Sequence, residues 1–242
     1  MPFPIIQLDK DPHSPFPNPL ESANDDGLVA MGGDLHPERL LNAYRAGIFP
    51  WYEDGGPILW WSPQPRAVML PGGMYLSRRF RRTLRQGNYR IAADTRFDEV
   101  IAACAAPRQN QEGTWITAEM KQAYSQLHRM GHAHSIEVHD LDGHLIGGLY
   151  GLALGRIFFA ESKFHRRSDA SKIALAVLMK ALDSWGFILC DCQIWNPHLE
   201  RLGVNLLSGE LFAAALARGI GEPADVGRWQ DDIQTLDLTR WP

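Results

Sequence analysis

The architecture of this chain is most readily predicted from one segment, His134-Ser-Ile-Glu-Val-His-Asp-Leu-Asp-Gly-His-Leu-Ile-Gly-Gly-Leu-Tyr-Gly-Leu152. Its centre, Asp142-Gly143, is a dipeptide that favours the tight turn of a β-hairpin. The flanking runs His134–His139 and Leu145–Leu152 are therefore predicted to pair as antiparallel strands. A third strand is predicted at Arg156–Glu161, so the segment forms the start of a three-stranded meander.

The segments on either side of this meander alternate between strand and helix patterns. Upstream, a strand is predicted at Tyr89–Ala93, followed by two amphipathic helices with apolar residues at helical spacing. Downstream, Asp169–Trp185 is predicted to be a buried helix, Phe187–Ile194 a buried strand and Gly209–Arg218 a final helix. The order β-α-α-β-β-β-α-β-α resembles the α+β fold of GNAT-type acyltransferases, in which an antiparallel meander, a helix and a parallel strand follow one another.

The first 65 residues differ in pattern from the rest of the chain. They are rich in Pro and Gly, and only one short helix is predicted there, at Pro37–Ala46 with Gly47 as its stop. We therefore predict a small N-terminal domain over residues 1–65 and a GNAT-like catalytic domain over residues 66–242.

Composition excludes several classes of protein. With 242 residues, of which 45% are hydrophobic, the chain is long and apolar enough for a real core. No apolar run approaches the roughly 18 residues that a membrane-spanning helix needs, and the N-terminus lacks the pattern of a signal peptide. The three cysteines, Cys104, Cys190 and Cys192, fit neither a zinc site nor a disulfide framework, so a cytoplasmic protein without a membrane partner is expected.

Charge is distributed unevenly along the sequence, although the net charge is only −4. Residues 1–62 contain nine acids and three bases, whereas residues 66–93 contain seven arginines and no acid. The densest cluster consists of Arg78, Arg79, Arg81, Arg82 and Arg85. It is interpreted either as a solvated helix face or as a strip that binds the phosphates of RNA, for which arginine is well suited.

The acyl donor of a GNAT-type enzyme lies where two strands diverge, here Arg156–Glu161 and Phe187–Ile194. Enzymes that use CoA hold its pyrophosphate on a glycine-rich turn at the start of the next helix. The corresponding stretch, Phe164–Ser171, has no glycine, and Asp169 would repel phosphate. A donor other than CoA is therefore predicted, while a CoA-dependent N-acetyltransferase and a non-catalytic tRNA- or peptide-binding module are the alternatives.

Seven sequence blocks are similar to those of the leucyl/phenylalanyl-tRNA–protein transferase family. The blocks are Met31–Tyr52, Leu59–Arg66, Glu112–Thr117, Gly131–Val138, Ala160–Phe164, Ala170–Lys172 and Asp191–Gln193. This resemblance implies transfer of leucine, phenylalanine or methionine from its tRNA to a protein with N-terminal arginine or lysine, which marks that protein for N-end-rule degradation. It also implies that the enzyme needs no metal and no cofactor; a monomer is expected.

The resemblance assigns three residues to the catalytic centre. Asp191 and Gln193 are at positions i and i+2 of a predicted strand, so their side chains are expected on one face, where they could orient an incoming amine. In the family, Asp191 would polarise Gln193 or accept a proton; the alternative is a buried, structural aspartate. Glu161 corresponds to a glutamate that holds the aminoacyl α-amino group, with a surface salt bridge to Lys163 or Arg166 as the alternative.

The resemblance also assigns residues to the aminoacyl-adenosine site. Trp51 and Trp115 would stack on the terminal adenine, and Asn196 would hydrogen-bond the ribose or peptide unless it only forms a turn before Pro197. Three leucines would form the pocket for the amino-acid side chain, although leucines are more often simple core residues. They are Leu149, Leu175 and Leu178.

Overall fold

A computed structural model of the chain describes residues 5–107 and 114–241. Glu112 and Gly113 of the third family-like block lie outside the described residues, as do residues 1–4 at the N-terminus, where no signal-peptide pattern was predicted.

The N-terminal part of the chain contains a four-stranded sheet in the order β1-β2-β4-β3. Its strands are β1 (Ile6–Leu8), β2 (Leu28–Gly32), β3 (Phe49–Pro50) and β4 (Leu59–Trp61), and its helices are α1 (Pro19–Ser22) and α2 (Pro37–Arg45). Helix α2 confirms the predicted helix to within a residue. The sheet was not predicted, because strands of two to five residues are too short to show a periodicity.

The central sheet has seven strands in the order β11-β5-β10-β9-β8-β7-β6. They are β5 (Arg66–Met69), β6 (Arg90–Ala93), β7 (Ala133–His139), β8 (Leu145–Leu154), β9 (Ile157–His165), β10 (Leu189–Gln193) and β11 (Asn205–Leu207). All neighbours are antiparallel except β9 and β10, which run parallel. The predicted α+β arrangement, a meander followed by a helix and a parallel strand, is confirmed.

Helices cover both faces of this sheet. They are α3 (Arg78–Gln86), α4 (Phe97–Ala105), α5 (Ala118–Arg129), α6 (Ala170–Ser184), α7 (Pro197–Glu200), α8 (Gly209–Ile220) and α9 (Trp229–Asp232), the last followed by a 3-10 turn at Ile233–Thr235. A hydrophobic core lies on each face of the sheet, and side chains that alternate along β8 contribute to both. Tyr150 and Leu152 pack with α4 and α5, whereas Leu149 packs with α6. The core on the α4 side also includes Leu40 and Trp60 of the N-terminal part, so the division at residue 65 stays a prediction.

Two strand boundaries differ from the prediction at the place where the site forms. Strand β9 continues past Glu161 to His165, so Glu161 lies in mid-strand rather than at its end. Strand β10 is shorter than predicted and ends at Gln193, whose backbone adopts a left-handed conformation with φ 58°. The predicted hairpin turn is confirmed, with Gly143 at φ 89°.

Candidate active site

The candidate active site lies where the parallel strands β9 and β10 diverge. The two strands are paired as far as Asp191 and Phe159. Two residues beyond Phe159, β9 contains a bulge: Tyr150 and Gly151 of β8 pair with Ser162 and Ala160, which leaves Glu161 unpaired. A bulge redirects the side chain of the extra residue, and the Glu161 carboxylate accepts a hydrogen bond of 2.9 Å from Nε2 of Gln193 across the gap.

A cleft of about 290 Å³ opens at this divergence. Seven predicted site residues line it: Trp51, Trp115, Leu149, Glu161, Leu175, Gln193 and Asn196. The structure therefore brings together residues that are up to 145 positions apart in sequence. Phe49, Ile194 and Leu199 also line the cleft and were not predicted, because an apolar residue in a core-like pattern carries no signal of a ligand.

Of the nine residues predicted for the catalytic and aminoacyl-adenosine sites, two do not line the cleft. Leu178 is fully buried in the core around α6, one helical turn beyond Leu175. Asp191 is also fully buried, and its carboxylate faces Arg66 of β5 rather than the cleft. The prediction that Leu178 lines the amino-acid pocket is therefore corrected by its burial. The burial of Asp191 does not fit a proton acceptor for the substrate, but it is compatible with the other two predictions for this residue, a group that polarises Gln193 and a buried structural aspartate.

The predicted shared face of Asp191 and Gln193 is also wrong. A register shift separates the two residues: Asp191 pairs with Val68 of β5, but Gln193 pairs with the adjacent Ala67. Neighbouring residues of a strand point to opposite faces, so the shift and the left-handed backbone at Gln193 break the alternation. Because of this irregularity, Gln193 reaches Glu161 while Asp191 remains below the cleft surface.

Glu161 is held by two buried tyrosines that contact it from different helices. The hydroxyl of Tyr44 in α2 donates to Oε1 over 2.7 Å, and that of Tyr124 in α5 donates to Oε2 over 3.1 Å. The two hydroxyls are 2.5 Å apart. Both tyrosines have apolar neighbours at helical spacing and therefore look like core residues in the sequence, which is why their role at the site was not predicted.

The environment of Glu161 moves the pKa of its carboxyl group into the physiological range. Burial raises the pKa of Glu161 from 4.5 to about 7, against the opposing effect of the two tyrosine hydrogen bonds. Burial, with Glu161 as a further cause, raises the pKa of Tyr44 and Tyr124 well above their usual range, so both stay protonated donors. The predicted alternative of a salt bridge with Arg166 is not formed among the described residues, where Nη1 of Arg166 donates to the carbonyl of Leu145 instead.

The tryptophans and Asn196 border the cleft in different ways. Trp51 is 43% exposed, and its carbonyl accepts a hydrogen bond of 2.7 Å from the indole of Trp61. Trp115 is half-buried. Asn196 is the N-cap of α7, where its Oδ1 accepts from the backbone N–H of Leu199 over 2.9 Å, so the turn-forming role is present alongside its place at the cleft.

The arginine cluster forms helix α3. Ser77 caps its N-terminus, and Phe80 and Leu84 are buried against the core. Four of the arginines are exposed and Arg81 is half-buried. Within the part of the chain that the structure describes, none of the five forms an ion pair with an acid. Helix α3 is therefore a solvated face with uncompensated positive charge, a surface suited to phosphates.

Comparison with known proteins gives matches over most of the chain. One family model, described as leucyl/phenylalanyl-tRNA protein transferase, matches residues 68–217, and the model of its N-terminal domain matches residues 33–64. The chain is 54% identical over 224 residues to the leucyl/phenylalanyl-tRNA–protein transferase of Alkalilimnicola ehrlichii, covering 92% of this chain and 86% of that one. With the enzyme of the same name from Pseudomonas putida it shares 54% identity over 210 residues, 86% of this chain and 92% of the other.

Solved structures give a more distant likeness. A GCN5-related N-acetyltransferase from Kribbella flavida has a TM-score of 0.39 and 12% identity, over 68% of this chain and 58% of that one.

None of the described helices is long and apolar enough to cross a membrane.

Proposed function

The chain belongs to the leucyl/phenylalanyl-tRNA–protein transferase family, and we propose that it transfers leucine, phenylalanine or methionine from aminoacyl-tRNA to the N-terminal arginine or lysine of acceptor proteins. It is thus an aminoacyltransferase. The observation that carries the proposal is the pairing of Glu161 with Gln193 in a cleft that has apolar walls and indole rings at its border. Such a cleft offers separate places for an apolar side chain, an amino group and a nucleobase.

The reaction is aminolysis of an ester. The acceptor's amine nitrogen attacks the aminoacyl carbonyl carbon, the bond from that carbon to the ribose oxygen breaks, and the proton lost by the amine passes to the departing ribose oxygen. An α-amino group has a pKa near 8, so a useful fraction is already neutral and no strong base is needed. The main task of the protein is then to position the two reactants.

Glu161 and Gln193 divide the positioning between them. The Glu161 carboxylate would hold the α-amino group of the aminoacyl ester. Since Nε2 of Gln193 donates to Glu161, the carboxamide oxygen of Gln193 is the group left to accept an N–H from the incoming amine. Asp191, which is fully buried, would act from behind Gln193 rather than as a proton acceptor for the substrate.

The walls of the cleft suit the amino acids named. Leu149 and Leu175 offer an apolar surface for the side chain of the ester. An apolar pocket separates substrates by only about 1–3 kcal/mol for each methylene group, which fits acceptance of several large apolar side chains. Trp51 and Trp115 would stack on the terminal adenine, an interaction worth about 1–3 kcal/mol per base.

The tRNA body would be held by helix α3. Its five uncompensated arginines provide a positive surface on an otherwise acidic protein. We further propose a monomer that works in the cytoplasm and marks acceptors for N-end-rule degradation, and the low cysteine content, three in 242 residues, supports a reducing compartment.

A label-transfer assay tests the function. The protein is incubated with radiolabelled leucyl-tRNA and a peptide that begins with arginine, and the control is the same peptide with an acetylated N-terminus. We expect label in the free peptide only. Absence of transfer, under conditions in which an active relative transfers label, would overturn the proposal, and acetylation of the peptide from acetyl-CoA would favour the N-acetyltransferase instead.

A further inference from the structure

A buried arginine behind the cleft has no assigned part in the reaction. We propose that Arg66 is a positioning residue for aminoacyl transfer: it fixes Asp191, which in turn holds the Gln193 carboxamide in place beside Glu161. The inference rests on the proposed function only in taking Glu161 and Gln193 as the groups that meet the substrate.

Arg66 and Asp191 form a buried, bidentate ion pair. Nε of Arg66 donates to Oδ1 of Asp191 over 2.8 Å, and Nη2 donates to Oδ2 over 2.7 Å. The side chains are 1% and 0% exposed. Phe49 and Phe212 cover the guanidinium, with ring centres 4.9 and 4.7 Å from its central carbon. The arginine is thus fixed by the carboxylate at its edge and by aromatic rings that pack against it.

Stability alone does not account for such a pair. Removing two charges from water costs about as much as their mutual attraction returns, and apolar replacements of buried pairs are often at least as stable. A buried ion pair next to a reaction centre is therefore better explained by the geometry that it imposes on its neighbours.

The geometry reaches Gln193 through the same carboxylate. Oδ1 of Asp191, which receives Arg66 Nε, also accepts the backbone N–H of Gln193 over 2.9 Å. Gln193 has φ 58°, a conformation that residues other than glycine rarely adopt and that surrounding contacts must maintain. From this backbone position its side chain meets Glu161 at 2.9 Å. Arg66, Asp191, Gln193 and Glu161 form an unbroken chain of hydrogen bonds that ends in the cleft.

In this arrangement Asp191 does not act as a general base. Each of its oxygens already accepts a charge-assisted hydrogen bond from Arg66, and the residue does not line the cleft. A carboxylate so engaged cannot reach the acceptor amine, and it influences the reaction through the position of Gln193.

Kinetics of three variants test the proposal. Arg66→Lys keeps the charge but cannot form the bidentate ion pair, so kcat is expected to fall about 100-fold, the effect of a small misplacement of a reacting group, with an unchanged KM for leucyl-tRNA. Arg66→Met with Asp191→Leu removes both charges together. We expect this double variant to unfold at the wild-type temperature or above while kcat stays low.

Arg156→Met is the matched control. Arg156 precedes β9 at the opposite end of the β9–β10 pair and bonds Gly186 and Glu222. It is expected to keep the wild-type kcat. Wild-type kcat in Arg66→Lys, recovery of kcat in the double variant, or an equal loss in the control would each overturn the proposal.

A measurement without substrate separates this inference from the proposed function. In amide hydrogen exchange followed by NMR, the Gln193 N–H of Arg66→Lys is expected to exchange about tenfold faster than in wild type, because its acceptor is no longer held. Unchanged exchange at Gln193 would refute the role of Arg66 even if aminoacyl transfer is observed. Faster exchange in a protein that transfers no label would uphold the role and reject the reaction.

Discussion

Replacing Glu161 with glutamine removes a carboxyl group whose pKa burial raises from 4.5 to about 7. Between these two pH values the folded chain keeps the proton at Glu161 while the unfolded chain has lost it. The folded state then binds more protons than the unfolded state, so the free energy of unfolding falls as the pH rises. The contribution is fully present below pH 4.5 and is lost as the pH passes through 7.

The size of the effect follows from the same two values. A difference of one in pKa corresponds to about 1.4 kcal/mol, so the change at Glu161 amounts to roughly 3 kcal/mol of stability. Glu161→Gln has a similar shape and can still accept a hydrogen bond from Tyr44 or Tyr124, but it does not titrate. The free energy of unfolding of wild type is therefore expected to fall by about 3 kcal/mol more than that of the variant when the pH is raised from acid to mildly alkaline.

Urea denaturation at a series of pH values from below 4.5 to above 7 measures this difference. Glu53→Gln, at an exposed glutamate, is the control and should follow wild type throughout. A difference between Glu161→Gln and wild type that does not depend on pH, or that decreases as the pH rises, would refute the assignment of a raised pKa to Glu161.

Three further expectations concern other parts of the molecule. Leu175→Ala enlarges the cleft and should change the ratio of kcat/KM for leucyl- and phenylalanyl-tRNA, measured by steady-state kinetics. Leu178→Ala, in the core, should leave that ratio unchanged and lower the free energy of unfolding by about 2–5 kcal/mol, measured by urea denaturation. Tyr124→Phe removes a donor to the central glutamate, so the pKa of that carboxyl should rise and the pH at which stability is lost should move upward in the same urea series. Exchanging Arg79 and Arg82 for alanine should reduce the slope of log affinity for tRNA against log salt by about one for each phosphate that is no longer neutralised; equal slopes in a filter-binding series would mean that these arginines are only solvated.

Local signals in the sequence were sufficient for the central meander and its helices. The dipeptide Asp142-Gly143 determines a hairpin by its own backbone preference, and Thr117 caps α5 by its own hydroxyl. Both depend on neighbours within a few residues, so a single sequence reveals them.

The arrangement of the site depends on contacts that no local pattern encodes. Arg66 and Asp191 are 125 positions apart, and Tyr44 lies 117 positions from Glu161. The bulges that turn Glu161 and Gln193 towards each other also depend on pairing between distant strands. The family resemblance supplied the identities of the cleft residues, and the burial of Asp191 agrees with the predicted buried strand, but no local pattern showed that Arg66 would be its partner.

The tyrosine pair around Glu161 has a consequence for recombining members of this family. Tyr44 lies in the segment matched by one family model and Tyr124 in the segment matched by the other. A hybrid that joins residues up to 64 of this chain to a relative's segment from residue 68 onward would keep Tyr44 but take the partner of its hydroxyl, 2.5 Å away in this chain, from the other parent. The two halves would be compatible only if α2 and α5 have the same relative position in both parents. The junction between the two family models is therefore one at which the parental backbones must agree closely.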